Sequence, residues 1–350
     1  MGRNLDRCQT LETVIEVEAK STPLAQASAT GNTGLGYKRI GLFDSGVGGL
    51  TVLRSLSQAG RSMGKSIDFV YLGDTARCPY GNRSHGEIVS FVEEIVAWLA
   101  SFQLDAVIMA CNTSAASARD AACKTATKIA PNMAVCDLIE PTAQMLAGSA
   151  TAIGVMATAT TASSKAFSKA LKRHGFSGPV KELGCPKLVP LIESGRLGRA
   201  DCEAELSRAL IEYLQILSEP ISAAAGKGIG RSSVDARTID TLILGCTHYP
   251  FLASRIESLV QGELAHLFPS GLKLVDPSRA LAAQLFGTVQ QVATPIRARL
   301  YSTGPAFEFA QTASQCLGED IGPVTQLSLT ELAETYLPAS LEVISPTSFA

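Results

Sequence analysis

Two stretches of this sequence carry an apolar run straight into a thiol. Residues 105–116 read DAVIMACNTSAA, and residues 240–249 read DTLILGCTHY. In each, an Asp stands six residues before the Cys, four mostly aliphatic residues and one small residue fill the gap, and a Thr follows the Cys directly or one position later. A thiolate can remove a proton or attack a carbonyl carbon, and a thiol can return a proton, so Cys111 and Cys246 are candidate acid–base or nucleophilic groups. Each precedes a helix signal. Asn112, Thr113 and Ser114 are N-cap residue types ahead of an Ala-rich stretch, and Pro250 suits the first turn of a helix opening at FLASRIESL. The positive end of a helix favours the charged thiolate. Taken singly, a Cys at a strand end is more often a small packed hydrophobe than a reactive group. Two at equivalent positions of similar segments suit a different task. Enantiomers have equal free energy, so inverting a stereocentre needs one group to take a proton from one face while another delivers one to the opposite face, and two facing thiols do that.

The elements that must position these thiols alternate along the chain. Short β-type runs appear at 39–44, 66–73, 105–110, 133–139, 151–157, 180–184, 241–245 and 272–276, with amphipathic helical patterns between them, as at 85–102 and 201–218. Strands alternating with helices predict parallel sheets covered on both faces, with ligands beyond the carboxyl ends of the strands. A second echo supports duplication: IGLFDS (40–45) is repeated in pattern by IGVMAT (153–158), and in both halves this strand precedes the Cys strand. The expected fold is α/β, with two similar doubly wound parallel-sheet domains related by pseudo-two-fold symmetry and an active site in the cleft between them. The expected division is a mobile tail at 1–37, a first α/β domain from 38–138 plus 272–318, a second from 139–271, and a C-terminal extension at 319–350. Residues 218–237, low in large apolar side chains, predict a flexible surface insertion.

Composition narrows the partners. With 350 residues there is material for two cores, and 30 Lys+Arg against 32 Asp+Glu leave no basic footprint for nucleic acid or an anionic membrane. A small-molecule substrate is the expectation. No run approaches the roughly 20 apolar residues of a membrane span, and the N-terminus lacks the apolar core of a secretory signal, so a cytoplasmic location is expected. The nine cysteines are scattered, with no C-x2-C pair. Cys246-x-His248 is the nearest approach to a metal signature, so no metal is expected. The run Asp44-Ser45-Gly46-Val47-Gly48-Gly49 matches neither G-x-G-x-x-G nor a P-loop.

Five further motifs, in order, carry a family resemblance: GLFDSGVGGLTVL (41–53), YLGDTARCPYGNRS (71–84), ACNTSAA (110–116), LVPLIESG (188–195) and LGCTHYPFL (244–252). Together with LVDPSRALA (274–282) and YSTGPAFEFA (301–310), they resemble the glutamate racemases of bacterial cell-wall synthesis over roughly residues 38–318. The resemblance implies cofactor-independent interconversion of L- and D-glutamate, with Cys111 taking the α-proton of D-glutamate and Cys246 that of L-glutamate. It implies that Asp44, His248 and Glu193 assist the thiols. Asp44, Ser45 and His248 would also touch the substrate, and Asn112, Thr113 and Thr247 would bind its α-carboxylate and ammonium, with Thr158 and Thr161. The backbone N–H groups of Tyr80 and Gly81 would hold the side-chain carboxylate. A homo-oligomer, a dimer, is implied, and a second role through DNA gyrase is left open because some members of the family bind it.

No lysine falls in the best-matched positions, so pyridoxal phosphate is not indicated. Arg77 and Arg83 flank the CPYG turn and are expected to be solvated, with steering of a dianionic substrate as the other role open to them; Cys78 and Cys185 are expected to pack or to stand directly behind the substrate-contacting residues. Rival readings are a related two-cysteine enzyme acting on aspartate or maleate, a Cys–His hydrolase in which one cysteine is dispensable, and a non-enzymatic binding role.

Overall fold

The computed structural model describes residues 37–148, 150–221, 238–287 and 297–341. Residues 1–36, where a mobile tail is expected, lie outside the described residues, as does 222–237 of the expected insertion. The first half runs β1 (Arg39–Asp44), α1 (Leu50–Ser62), β2 (Asp68–Gly73), α2 (His85–Ala100), β3 (Ala106–Met109), α3 (Asn112–Ile129), β4 (Ala134–Asp137) and α4 (Ile139–Leu146). The second runs β5 (Ile153–Ala157), α5 (Ala159–Ser164), α6 (Ala166–Arg173), β6 (Val180–Gly184), α7 (Leu188–Glu193), α8 (Ala200–Ser218), β7 (Thr241–Gly245), α9 (Ala253–Gln261), β8 (Lys273–Val275) and α10 (Pro277–Phe286). The chain then adds β9 (Arg299–Ser302), α11 (Ala306–Leu317), β10 (Val324–Gln326) and α12 (Leu329–Leu341).

Two parallel sheets result, ordered β10-β9-β2-β1-β3-β4 and β6-β5-β7-β8. The order β2-β1-β3-β4 of the first is repeated as β6-β5-β7-β8 in the second, so the echoes in sequence are echoes in topology. Strands β3, β5 and β7 are buried at every position, and β1 and β2 at every position but the first, which is why they read as unbroken apolar runs rather than alternating ones.

The repeated Asp before each Cys strand has the same duty in both halves. Asp105 Oδ2 accepts the N–H groups of Lys38 and Arg39 at 2.7 and 2.9 Å, at the start of β1. Asp240 Oδ2 accepts the N–H of Thr151 at 2.9 Å and of Ala152 at 3.4 Å, just before β5. Each carboxylate therefore fixes the start of the strand beside the thiol-bearing one.

The halves also trade helices. Helix α4 follows the first sheet but packs on α6 of the second, where Ile139, Ala143 and Leu146 join Phe167, Ala170 and Leu171 in one core. Helix α10 follows the second sheet but packs on α1, where Leu281, Leu285 and Phe286 join Leu50, Leu53 and Leu56. The two exchanged helices touch each other.

Two expectations about the chain's end differ from the structure. Strand β8 pairs with β7, inside the second sheet, whereas the expected boundary assigned 272–276 to the first half. Residues 319–341 are no appendage: β10 extends the first sheet beyond β9, and α12 packs on α2 with Leu332 buried. Alternation along a chain marks a strand but not which sheet it joins, and three-residue edge strands carry little pattern of their own.

The small residue before each Cys has a packing cause. A Cβ at Gly245 would stand 2.8 Å from Val155 Cγ1 and 2.9 Å from the Met156 carbonyl oxygen, which as backbone cannot turn aside. We expect Gly245→Ala to destabilise by about 1–3 kcal/mol. The check is a lower urea midpoint at an unchanged slope.

Candidate active site

Strand β3 delivers Cys111 to the N-cap of α3, with Asn112 as the first helical residue. The cap is thus the cysteine itself, not the Asn112, Thr113 or Ser114 that residue preferences suggest, and no side chain caps that helix end. Strand β7 delivers Cys246, followed by Thr247 and His248; a single 3-10 turn, Tyr249–Leu252, containing Pro250, then leads into α9. The two thiols are 4 % and 6 % exposed and line one cavity. Asp44, Ser45, Asn112 and Thr113 line it from the first half, and Thr158, Thr247 and His248 from the second. The turn Pro79-Tyr80-Gly81 forms another wall, with Val189 of α7. The free space is about 10 Å³, room for about one water molecule.

Glu193 and Thr161 stand behind this lining. Glu193, the last residue of α7, places Oε1 2.5 Å from His248 Nε2 and 2.8 Å from the Val47 nitrogen, whose N–H it accepts. His248 Nδ1 lies 3.6 Å from Cys246 Sγ. Burial alone would lower the imidazole pKa, but the hydrogen bonds with Cys246 and Glu193 outweigh it and hold the value well above the ordinary histidine range. The ring bridges thiol and carboxylate.

The other thiol has a different neighbour. Asp44 is fully buried, accepts the Gly49 N–H at 2.8 Å, and lies 3.4 Å from the Thr247 hydroxyl of the opposite half. Burial raises its pKa despite the attraction of His248. Cys111 is pushed up to about 12, first by burial and then by the charge of Asp44. Hydrogen bonding from Ser114 at the start of α3 acts in the opposite direction and is outweighed. Burial and the charge of Asp44 thus outweigh the pull toward the thiolate expected at a helix end.

Three hydroxyls join the halves beside Cys111. Thr113 Oγ1 and Thr158 Oγ1 are 2.9 Å apart, and Thr161 Oγ1 lies 3.0 Å from Thr158 and 3.3 Å from Thr113. Thr158 also caps α5 through the Thr161 N–H. Both polar atoms of Asn112 are buried with no partner among the described residues, which marks a group available to a ligand. The ring of Tyr80 packs on Phe91, and its hydroxyl donates to Asp74; neither partner lines the cavity.

Arg77 is neither solvated nor free to steer a substrate. It is 8 % exposed, pairs with Asp74 and Glu94 at 2.6 Å each, and lies over the Phe91 ring. Arg83 pairs with Glu87 at 3.5 Å. Cys185 is fully buried in the second core, as expected of a packing residue. Val189 was missed because an apolar residue inside LVPLIESG looks like core. Among the described residues no three His, Cys, Asp or Glu side chains are grouped so as to hold a metal ion, and no helix is long and apolar enough to cross a membrane.

Residues 40–285 match the family model described as Asp/Glu/Hydantoin racemase. The chain belongs to that racemase family. This places it among the isomerases. The glutamate racemase of Gloeobacter violaceus is 36 % identical over 278 residues, 78 % of this chain and 90 % of that protein. That of Synechocystis is 33 % identical over 311 residues, covering 87 % and 97 %. Among solved structures of the racemase family, a glutamate racemase isoform of Bacillus anthracis superposes with a TM-score of 0.62 at 29 % identity, over 83 % of this chain and 98 % of that one. The glutamate racemase of Francisella tularensis, solved with D-glutamate, superposes with a TM-score of 0.64 at 26 % identity and the same coverage.

His248's raised value fixes the sign of a pH effect. Its stabilisation is fully present below about pH 6.5, the ordinary imidazole value, and is lost as pH rises through the raised folded value. Glu193→Gln should lower stability by about 1–3 kcal/mol in mildly acidic solution, and the gap should close as pH climbs. Urea titrations across that range check it; a gap independent of pH would mean that Glu193 serves only the Val47 N–H.

Proposed function

We propose that this enzyme interconverts L- and D-glutamate by proton transfer at the α-carbon between two thiols, without a cofactor. One observation carries the reading: Cys111 and Cys246, at the ends of equivalent strands in two sheets of the same topology, line the same cavity. A substrate held between them would lose its α-proton to one sulfur, as thiolate, and receive a proton from the other, as thiol, on the opposite face; the return reaction exchanges the roles. Cys111 acts on D-glutamate and Cys246 on L-glutamate. The neutral Cys111 thiol favoured at rest is the form that donates, and Asp44, whose raised pKa lets it carry a proton, can relieve it of one. Protonated His248, backed by Glu193, returns a proton to the Cys246 thiolate and, once neutral, takes one back.

Asn112, Thr113 and Thr247 bind the α-carboxylate and ammonium, aided by Ser45 and Asp44. Thr158 and Thr161 support that end, and the N–H groups of Tyr80 and Gly81 receive the side-chain carboxylate. The product D-glutamate would supply peptidoglycan synthesis in the cytoplasm. The enzyme would act as a dimer; binding to DNA gyrase is a separate property for which nothing in the site argues.

Cys246, His248 and Glu193 also have the order of a nucleophilic triad, which favours a hydrolase as the second reading. The two separate cleanly. In deuterated water, glutamate should acquire deuterium at the α-carbon with no added cofactor. Cys111→Ser and Cys246→Ser should each cut racemisation, followed by optical rotation, by about 10²–10⁴-fold. Activity surviving both single changes ends the two-thiol reading, and dependence on Cys246 alone would favour the hydrolase.

A further inference from the structure

The duplicated frame is four strands in each half, but the first sheet carries two more, β10-β9, with no counterpart in the second. The exit of β9 leads directly to the substrate turn. Thr303 donates its hydroxyl to Asp74 Oδ1 at 2.7 Å and accepts the Ala76 N–H at 3.0 Å. Its own N–H bonds the Gly73 carbonyl at 3.0 Å, at the end of β2. Beside it, Ser302 and Thr75 share a hydroxyl contact at 2.7 Å, and the Gly304 N–H donates to Thr75 Oγ1 at 2.9 Å.

Asp74 is fully buried and has both oxygens engaged. Oδ2 accepts Arg77 Nε at 2.6 Å and the Tyr80 hydroxyl; Oδ1 accepts Thr303. Arg77 offsets the buried charge and reaches on to Glu94 of α2. The turn at Tyr80 and Gly81, which lines the cavity, is thus held through the Tyr80 side chain. From the opposite half the Thr160 hydroxyl reaches it, bonding the Gly81 carbonyl at 2.8 Å.

We infer that Thr303 and Asp74 are positioning residues for substrate selectivity: through Tyr80 and Arg77 they fix the backbone donors that recognise a second, side-chain carboxylate. This rests on the reading of Tyr80 and Gly81 given above. It assigns the β9–β10 extension a function. Inverting a stereocentre calls for two matched walls, but a side chain leaves the α-carbon in one direction only, so its anchor must belong to one half, and the half with the additional strand supplies it.

The test compares glutamate with 2-aminopentanoate, which has the same five-carbon chain and lacks the side-chain carboxylate. Thr303→Val should raise KM for glutamate about tenfold, as for loss of a hydrogen bond to a buried charge, with kcat within about twofold. Competitive inhibition by 2-aminopentanoate should be unchanged. Thr303→Ser, which keeps the hydroxyl, should restore the parent KM, and Tyr80→Phe should repeat the selective loss should the valine variant fail to fold. Equal weakening of both ligands would show general loosening of the site and overturn the inference, as would an unchanged KM for glutamate. An unaltered protein that fails to racemise glutamate would instead refute the underlying reading, and calorimetric binding of the same two ligands would still decide the role of Thr303.

Discussion

Two sulfurs can meet across one small molecule only if two sheets end at the same place, and everything else in this chain serves that constraint. In a parallel sheet the height of each strand end is set by register along the whole strand. Here it is pinned at the far end: Asp105 and Asp240 hold the first residues of the strands beside the thiol-bearing ones. At the near end a small residue, fully buried Ala110 or tightly packed Gly245, lets the chain close into the helix that follows. The exchange of α4 and α10 then sets one half against the other. Because each half buries a helix contributed by its partner, neither core is complete alone.

Burial controls the chemistry as well as the stability. Withdrawing a thiol from water favours its neutral form, and Cys111 shows the result in a pKa pushed up to about 12. A base with so high a pKa is strong once formed but scarce, so the site needs neighbours that accept and return protons. Polar links join the halves around the cavity, among them the Val47 N–H to Glu193, Thr113 to Thr158, Thr51 to the Thr247 carbonyl and Thr160 to the Gly81 carbonyl. Water can replace such hydrogen bonds at modest net cost, whereas the helix exchange behind them is apolar.

Much of this was legible in the sequence because it is local. Eight strand signals, two echoes and the thiols at strand ends all lie within runs of ten residues, and they yield the sheets and the walls of the cavity. What escaped depends on distance along the chain. That β8 joins the second sheet is a pairing, not a pattern. Arg77 looks like a loop cation until Asp74 and Glu94 enclose it, and Thr303, more than two hundred residues from Asp74, gives no sign of its contact. The repeated Asp was visible as part of the echo, yet its task became clear only when the neighbouring strand's first N–H groups were seen against it. At Cys111 the helix end acts in the expected direction, but burial and Asp44 exceed it, and sequence does not give burial in amount.

The two walls match in backbone and differ in chemistry. Asp44 in β1 corresponds to Ala157 in β5, and His248 two places after Cys246 corresponds to Thr113 after Cys111. So one thiol is served by a buried carboxyl group and the other by an imidazole backed by a carboxylate. For a racemase this inequality cannot appear as a preference in kcat/KM: the enantiomers have equal free energy, and the ratio of the two kcat/KM values must equal an equilibrium constant of one. It must appear instead in how each direction divides between kcat and KM, since these depend on which protonation state of the thiol pair dominates at rest. Resting enzyme with Cys111 neutral is poised to give a proton from that side. On the two-thiol reading, the unlike flanking residues decide which enantiomer meets the enzyme already in the right protonation state.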